Sequence, residues 1–178
     1  AIKRPKDAIQ NRIAMISEDR RQEGLVLEET VQYNLSLSNL KSIQSSLFVD
    51  RKKEANISEK FIGELNIKTP SAKNKVELLS GGNQQKVVIG KWLNTSPAIL
   101  LMDEPTRGID IGAKSEIYKI IEQLLKQDVG IILASSELAE IIGLCDRVLV
   151  MKEGREVALL EDQEITSKNL LYAAMGAE

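Results

Sequence analysis

Residues 98–105 read Ala-Ile-Leu-Leu-Met-Asp-Glu-Pro, an apolar run that stops on two adjacent carboxylates and a proline. A run of this length without polar alternation is a strand covered on both faces, the habit of parallel sheets sandwiched between helices. The carboxylates then stand at the C-terminal end of the strand, which in open α/β sheets faces the ligand crevice. In phosphoryl-transfer sites a first carboxylate so placed holds Mg²⁺, directly or through water, and a second orients and polarises the attacking water. Asp103 and Glu104 are candidates for those roles, and a strand that simply ends in an acidic turn would give the same letters.

Just upstream, Leu79-Ser80-Gly81-Gly82-Asn83-Gln84-Gln85 opens a helix on which Val88 and Trp92, and Ile89 and Leu93, recur at four-residue spacing. A helix start with unpaired N–H groups attracts phosphate oxygens, and two glycines let a ligand approach the backbone closely. An ordinary N-cap at Ser80 explains the serine and one glycine but not the pair. Both readings stay open on the motif alone.

The remaining pattern alternates strands and helices. Residues 12–17 form a short buried strand and 18–24 a charged loop closed by glycine. From 30 to about 65 the chain turns helical, first through Val31, Leu35 and Leu37, then along a polar helix from Asp50 carrying Ile57, Phe61, Ile62 and Leu65. A helix over 113–126 puts Ile117, Ile120, Ile121, Leu124 and Leu125 on one stripe. Residues 129–134 are another apolar strand, 137–144 a short helix, 147–151 and 156–160 a hairpin, and 167–174 a last helix. This order predicts a mostly parallel sheet covered by helices on both faces. The core is built from aliphatic residues, because only 3% of the 178 residues are aromatic.

That scarcity of aromatics, with a net charge of −2 spread over interspersed acids and bases, argues against nucleic acid as a partner. The lone Cys145 cannot form an internal disulfide and reads as core packing in a reducing compartment. No apolar run approaches the roughly 20 residues that span a bilayer, and the start lacks the apolar stretch of a signal peptide. The chain begins without Met, which suggests an excised fragment, with processing or tag removal as the other explanation.

A Ser-Gly-Gly helix leading into a strand ending Asp103-Glu104-Pro105, then Thr106-Arg107-Gly108-Ile109-Asp110, resembles the signature, Walker B and D-loop succession of ATP-binding-cassette (ABC) ATPases. Ser17-Glu18-Asp19-Arg20-Arg21, Asn83, Lys86, Lys91-Trp92-Leu93 and the 106–110 segment narrow the resemblance to the second cassette of duplicated bacterial sugar-importer ATPases, of the ribose, galactose and xylose type. The resemblance implies a P-loop NTPase-like α/β fold, with residues 1–23 and 76–178 as part of the catalytic core and 24–75 as a helical subdomain. It also implies an ATPase using ATP and Mg²⁺, cytoplasmic and peripheral on the inner face of the cell membrane. The expected partners are a second cassette, transmembrane permease subunits and, indirectly, a sugar-binding protein. Carried over residue by residue, Ser80, Gly81 and Gly82 would bind the γ-phosphate of ATP held by the partner cassette, Asp103 would assist Mg²⁺, Glu104 would be the general base, and Asp110 would lie in the D-loop.

The departures from that pattern are Glu18 at the lid position where most cassettes carry Gln, and Ser136 at the switch position where most carry His; the chain has no histidine. A serine cannot replace an imidazole that senses the γ-phosphate. The phosphate loop is expected to be missing, because 63–69 lacks the glycine before lysine and 108–115 has Ala113 where the second glycine belongs. Its strand would be missing too, so the C-terminal hairpin is expected to pack in a rearranged or strand-exchanged way, and the chain alone to bind ATP weakly or not at all. Two other functions compete. A chromosome-maintenance ATPase would need long heptad coiled coils and basic surface, neither of which is in the sequence. A catalytically degenerate cassette would complete a partner's ATP site without hydrolysing ATP itself.

Overall fold

The computed structural model describes residues 2–45 and 48–176. Its elements, in chain order, are α1 (Pro5–Gln10), β1 (Ile13–Ile16), a π-helical turn (Arg20–Gly24), α2 (Val31–Ser36) and a 3₁₀ stretch (Leu37–Ile43). Next come β2 (Gln44–Ser45), β3 (Phe48–Val49), α3 (Arg51–Glu64), a 3₁₀ turn (Val76–Leu78), α4 (Gly81–Leu93), β4 (Ile99–Asp103) and α5 (Ile111–Leu125). The last are β5 (Gly130–Ala134), α6 (Leu138–Leu144), β6 (Arg147–Lys152), β7 (Arg155–Glu161), a 3₁₀ turn (Asp162–Glu164) and α7 (Ser167–Met175). The chain divides into two compact units, residues 1–132 and 133–178.

In the first unit the apolar run of β4 pairs in parallel with β1, Ile13 opposite Ile99 through Ile16 opposite Met102, in a sheet of order β1-β4-β5. Ala14, Ile16, Leu100 and Met102 are buried there, while Met15 on the alternate face of β1 is half exposed, as the two-residue period of a strand requires. Helix α4 is the hub of this unit: it packs on β1, α2 and α5. Val87, Val88 and Ile89 on it are fully buried, each such side chain contributing about 1.5–3 kcal/mol. Helix α5 buries Ile117, Ile120, Ile121 and Leu124; Leu125, expected on the same stripe, is 40% exposed because it is the last residue of the helix and lies off that face.

Two charged residues are part of this core. Lys86 is buried, donating to Glu116 Oε2 at 2.6 Å and to the Asn66 carbonyl at 2.8 Å, which ties α4 to α5. Glu54 on α3 is buried among Gln32 and Ser36 of α2 and Arg51. Burial pushes its carboxyl upward, but the hydrogen bonds from Gln32, Arg51 and Ser36 outweigh that and hold it below the usual carboxylate value.

The helical stretch expected from 30 to 65 is interrupted. After the 3₁₀ turns, β2 and β3 pair antiparallel, Gln44 opposite Val49 and Ser45 opposite Phe48, and the Asp50 N–H closes the hairpin onto the Ile43 carbonyl at 2.7 Å. Ser46 and Leu47 lie outside the described residues. Asp50 then caps α3 by accepting from the Lys52 and Lys53 N–H groups, so the helix starts one residue later than expected. Helix α1 is a further element that the sequence reading does not contain; Pro5 at its first position and Asp7 bonded back to the Lys3 and Arg4 N–H groups start it.

In the second unit β6 and β7 form their own two-stranded antiparallel sheet, with a register shift between Val150 and Met151. Ile141, Val150, Ile165 and Leu170 make its small core, with Cys145 packed against them. Burial, with Asp146 and Glu140 nearby, pushes the Cys145 thiol above its ordinary value, as suits a packing cysteine rather than a nucleophile.

Candidate nucleotide site

The strand β4 ends on Asp103, half-buried, and the chain turns at once. Glu104 takes a left-handed conformation, φ +46°, which for a residue with a side chain costs about 1–2 kcal/mol. Its carbonyl accepts the Arg107 N–H at 3.1 Å, and the Thr106 carbonyl accepts the Ile109 N–H at 3.2 Å, giving a tight run from 104 to 109 with Gly108 at φ +66°. Asp110 then caps α5, its Oδ1 accepting the Ala113 N–H at 3.0 Å. The 108–115 stretch is therefore a turn and a capped helix start, not a phosphate loop.

The start of α4 lies against this run. A methyl group on Gly82 would come within 2.4 Å of Ala113 Cβ and 3.6 Å of Ile109 Cγ2. One on Gly81 would meet Arg20 Nη2 at 2.8 Å and the Gly108 carbonyl at 3.4 Å. The two glycines thus let the start of α4 sit directly on the 108–109 turn and the first turn of α5. Ser80, exposed, holds the N-cap position of α4 but its hydroxyl caps no backbone N–H; it accepts from Asn83 Nδ2 at 2.9 Å. Ser80 thus takes the N-cap position that the sequence allows, but without the side-chain capping bond that usually goes with it.

Arg20 joins the same group from the opposite side. It lies in the π-helical turn after β1, where Asp19 Oδ1 accepts the N–H groups of Arg21 and Gln22. Its guanidinium donates to the Arg107 carbonyl at 2.7 Å and to the Gly108 carbonyl at 3.3 Å, and its buried Nε has no hydrogen-bond partner. Burial, then the neighbouring Arg21, pulls its pKa down. Glu18 pairs with Arg107. The sequence reading gives 18–24 as a charged loop closed by glycine and misses these links; three acids and two bases interleave there, so nothing in the make-up of the stretch marks Arg20 as bonded to a distant turn.

Of the residues singled out from the sequence, Glu18, Gly81, Gly82 and the 107–110 segment are therefore drawn together, with Ser80 at the rim and Asp103 and Glu104 leading into the same turn. Ser136 lies in the second unit, exposed, between β5 and α6, beside Ser135, whose hydroxyl donates to the buried Glu140 at 2.6 Å. Among the described residues no group of three or more His, Cys, Asp or Glu converges on a metal position. The donor set fits Mg²⁺ in the form in which that ion accompanies nucleotides: one or two carboxylates from the protein, with phosphate and water completing the octahedron. Among the described residues no helix is long and apolar enough to cross a membrane.

A family model described as ABC transporter matches residues 2–107. The chain belongs to the ABC transporter family. An L-arabinose transport ATP-binding protein of Geobacillus stearothermophilus is 51% identical to this ABC transporter chain over 164 residues, covering 92% of the chain and 32% of that protein. A ribose import ATP-binding protein of Geobacillus kaustophilus is 47% identical over 175 residues, covering 98% of the chain and 35% of that protein. The chain thus spans about a third of the length of the curated relatives it matches. Among solved structures, an ATP-binding cassette of an ABC transporter superposes with a TM-score of 0.78 at 20% identity, covering 96% of this chain and 71% of that one, which establishes the ABC ATPase fold.

Proposed function

We propose that this chain is the C-terminal part of the ATP-hydrolysing subunit of a sugar importer, coupling ATP binding and hydrolysis to uptake through membrane permease subunits. The observation that carries this reading is the packing of the Ser80-Gly81-Gly82 helix start onto the turn that follows Asp103 and Glu104, with Gly82 0.6 Å inside the closest approach of real Cβ atoms, a methyl there falling at 2.4 Å against a limit of 3.0 Å. Relatives named for ribose import and L-arabinose transport support a monosaccharide as the cargo. Its identity would be set by the membrane and binding-protein partners.

In this reading the backbone of Gly81 and Gly82 and the Ser80 hydroxyl receive the γ-phosphate of ATP carried by a second cassette. Glu104 accepts a proton from the attacking water at the chain's own site, and Asp110 lies where the two cassettes meet. Asp103 would hold Mg²⁺, which would supply charge neutralisation at the phosphates. Glu18 and Ser136 occupy the lid and switch positions. Residues 1–23 and 76–178 serve as catalytic core and 24–75 as the subdomain facing the permeases, on the inner face of the membrane. The isolated chain, without a phosphate loop in its sequence, holds ATP weakly.

The test is Glu104→Gln in the full-length protein. ATP turnover is expected to fall by about 100-fold or more while ATP binding persists, as for removal of a general base. Unchanged turnover would end the assignment of Glu104 and leave this cassette as a partner to the other site only.

A further inference from the structure

Asn83 stands three residues into the signature helix, where a side chain normally helps to cap. Its Oδ1 accepts the Lys68 backbone N–H at 2.8 Å, and its Nδ2 donates to Ser80 Oγ at 2.9 Å. An asparagine has one carbonyl acceptor and one amino donor, and a backbone N–H only donates. The carbonyl must therefore face Lys68, and the amino group must face Ser80. The Ser80 oxygen receives that proton on one lone pair, so its own O–H cannot point back towards Asn83. Because the hydroxyl also caps no backbone N–H of α4, it is withdrawn from the usual duty of a serine at a helix start.

We infer that Asn83 is a positioning residue that keeps the exposed Ser80 hydroxyl a donor aimed away from the helix, at an anionic oxygen arriving from outside the chain. The inference rests on the function proposed above, in which that oxygen belongs to the γ-phosphate of ATP. The Lys68 amide fixes the asparagine, the asparagine fixes the hydroxyl, and the hydroxyl meets the phosphate already oriented. A donor held in place before the ligand arrives needs no reorganisation when charge develops, which is the source of its catalytic value.

The test is a cycle of Asn83→Asp, Ser80→Ala and the double variant, read as kcat/KM for ATP hydrolysis in the full-length protein. Aspartate keeps the shape and still accepts from Lys68, but its second oxygen is an acceptor, so the Ser80 O–H turns inward to donate to it. Asn83→Asp and Ser80→Ala are each expected to lower kcat/KM by about 10- to 100-fold, the loss of a donor to a charged group. The double variant is expected to fall no further than the worse single one, because both act through one hydroxyl. An acidic residue in the first helical turn stabilises a helix, so the thermal midpoint of Asn83→Asp stays level or rises. If the Asn83→Asp loss persists undiminished on the Ser80→Ala background, Asn83 acts by charge or packing and the inference is overturned. Wild-type kcat/KM in Asn83→Asp alongside a loss in Ser80→Ala also overturns it, while leaving the proposed function intact. A Ser80→Ala variant with full activity removes the proposed contact between Ser80 and the γ-phosphate, and the inference with it, while the Glu104→Gln test of the proposed function still stands.

Discussion

Replacing Gly82 with alanine tests whether the signature helix is held against α5 by the lack of a side chain. The added methyl would lie 2.4 Å from Ala113 Cβ, where ordinary contact is 3.4–4 Å, so the two helix starts must separate by about 1 Å. Overpacking of this kind costs about 1–3 kcal/mol. Alanine in place of glycine returns roughly 0.5–1 kcal/mol through backbone entropy. The net expectation is a loss of about 1–2 kcal/mol. Ala113→Gly alone costs about 0.5–1 kcal/mol, by the same backbone term. In the double variant the methyl has simply changed sides of the contact, so stability returns to near wild type and the coupling is about 1–3 kcal/mol. The assay is urea unfolding followed by fluorescence of the single tryptophan, Trp92, which sits on α4 itself and so reports the unit in question. With a slope of about 1–3 kcal/mol per molar urea, the Gly82→Ala midpoint drops by roughly 0.5–1 M and the second change restores it. Additivity of the two substitutions within about 0.5 kcal/mol would refute the close-approach argument, because it would mean that the two helices do not meet at this contact.

Two further outcomes follow from charged groups in the first unit. Glu54 is held below its ordinary value of 4.5, so its stabilising contribution is fully present above that pH and is lost as the pH falls through the lowered value; Glu54→Gln is expected to cost about 1–2 kcal/mol at neutral pH and to flatten the acid limb of a stability profile, and an unchanged limb would contradict the network described. Arg20→Gln removes both donors to the 107–108 carbonyls while relieving a buried N–H that has no partner, so the urea midpoint is expected to move little while hydrogen exchange of the Ile109 amide accelerates by about tenfold; equal protection in the variant would show that the guanidinium does not hold this turn.

Strands β1, β4, β6 and β7 were legible as short apolar runs and helices α3 to α7 by the spacing of their apolar residues, and capping residues such as Asp50, Asp110 and Thr166 mark the boundaries. The β2–β3 hairpin was not legible, since two-residue strands leave too few positions to show a period. Nor was α1, which buries nothing and is started by Pro5 and Asp7 alone. In the site, the glycine pair stood out because an ordinary N-cap accounts for only one glycine, and the two carboxylates because they end an apolar strand, while each motif alone also admits a purely structural reading. Arg20 and Asn83 could not, because their partners are the carbonyls of Arg107 and Gly108 and the amide of Lys68, and every residue type offers a backbone group of that kind. A contact of this kind leaves no chemical trace in the partner's side chain.

The left-handed turn at Glu104 has a meaning for how this chain can change. Glycine adopts that conformation without penalty, so Glu104→Gly would relieve the backbone by about 1 kcal/mol. A lineage selected for folding alone would drift to glycine at this position, and so would a screen that scored only resistance to heat. If Glu104 carries the proposed chemistry, the most accessible stabilising substitution in the turn is the one that ends activity, and thermostable variants of this protein must be sought elsewhere in the chain.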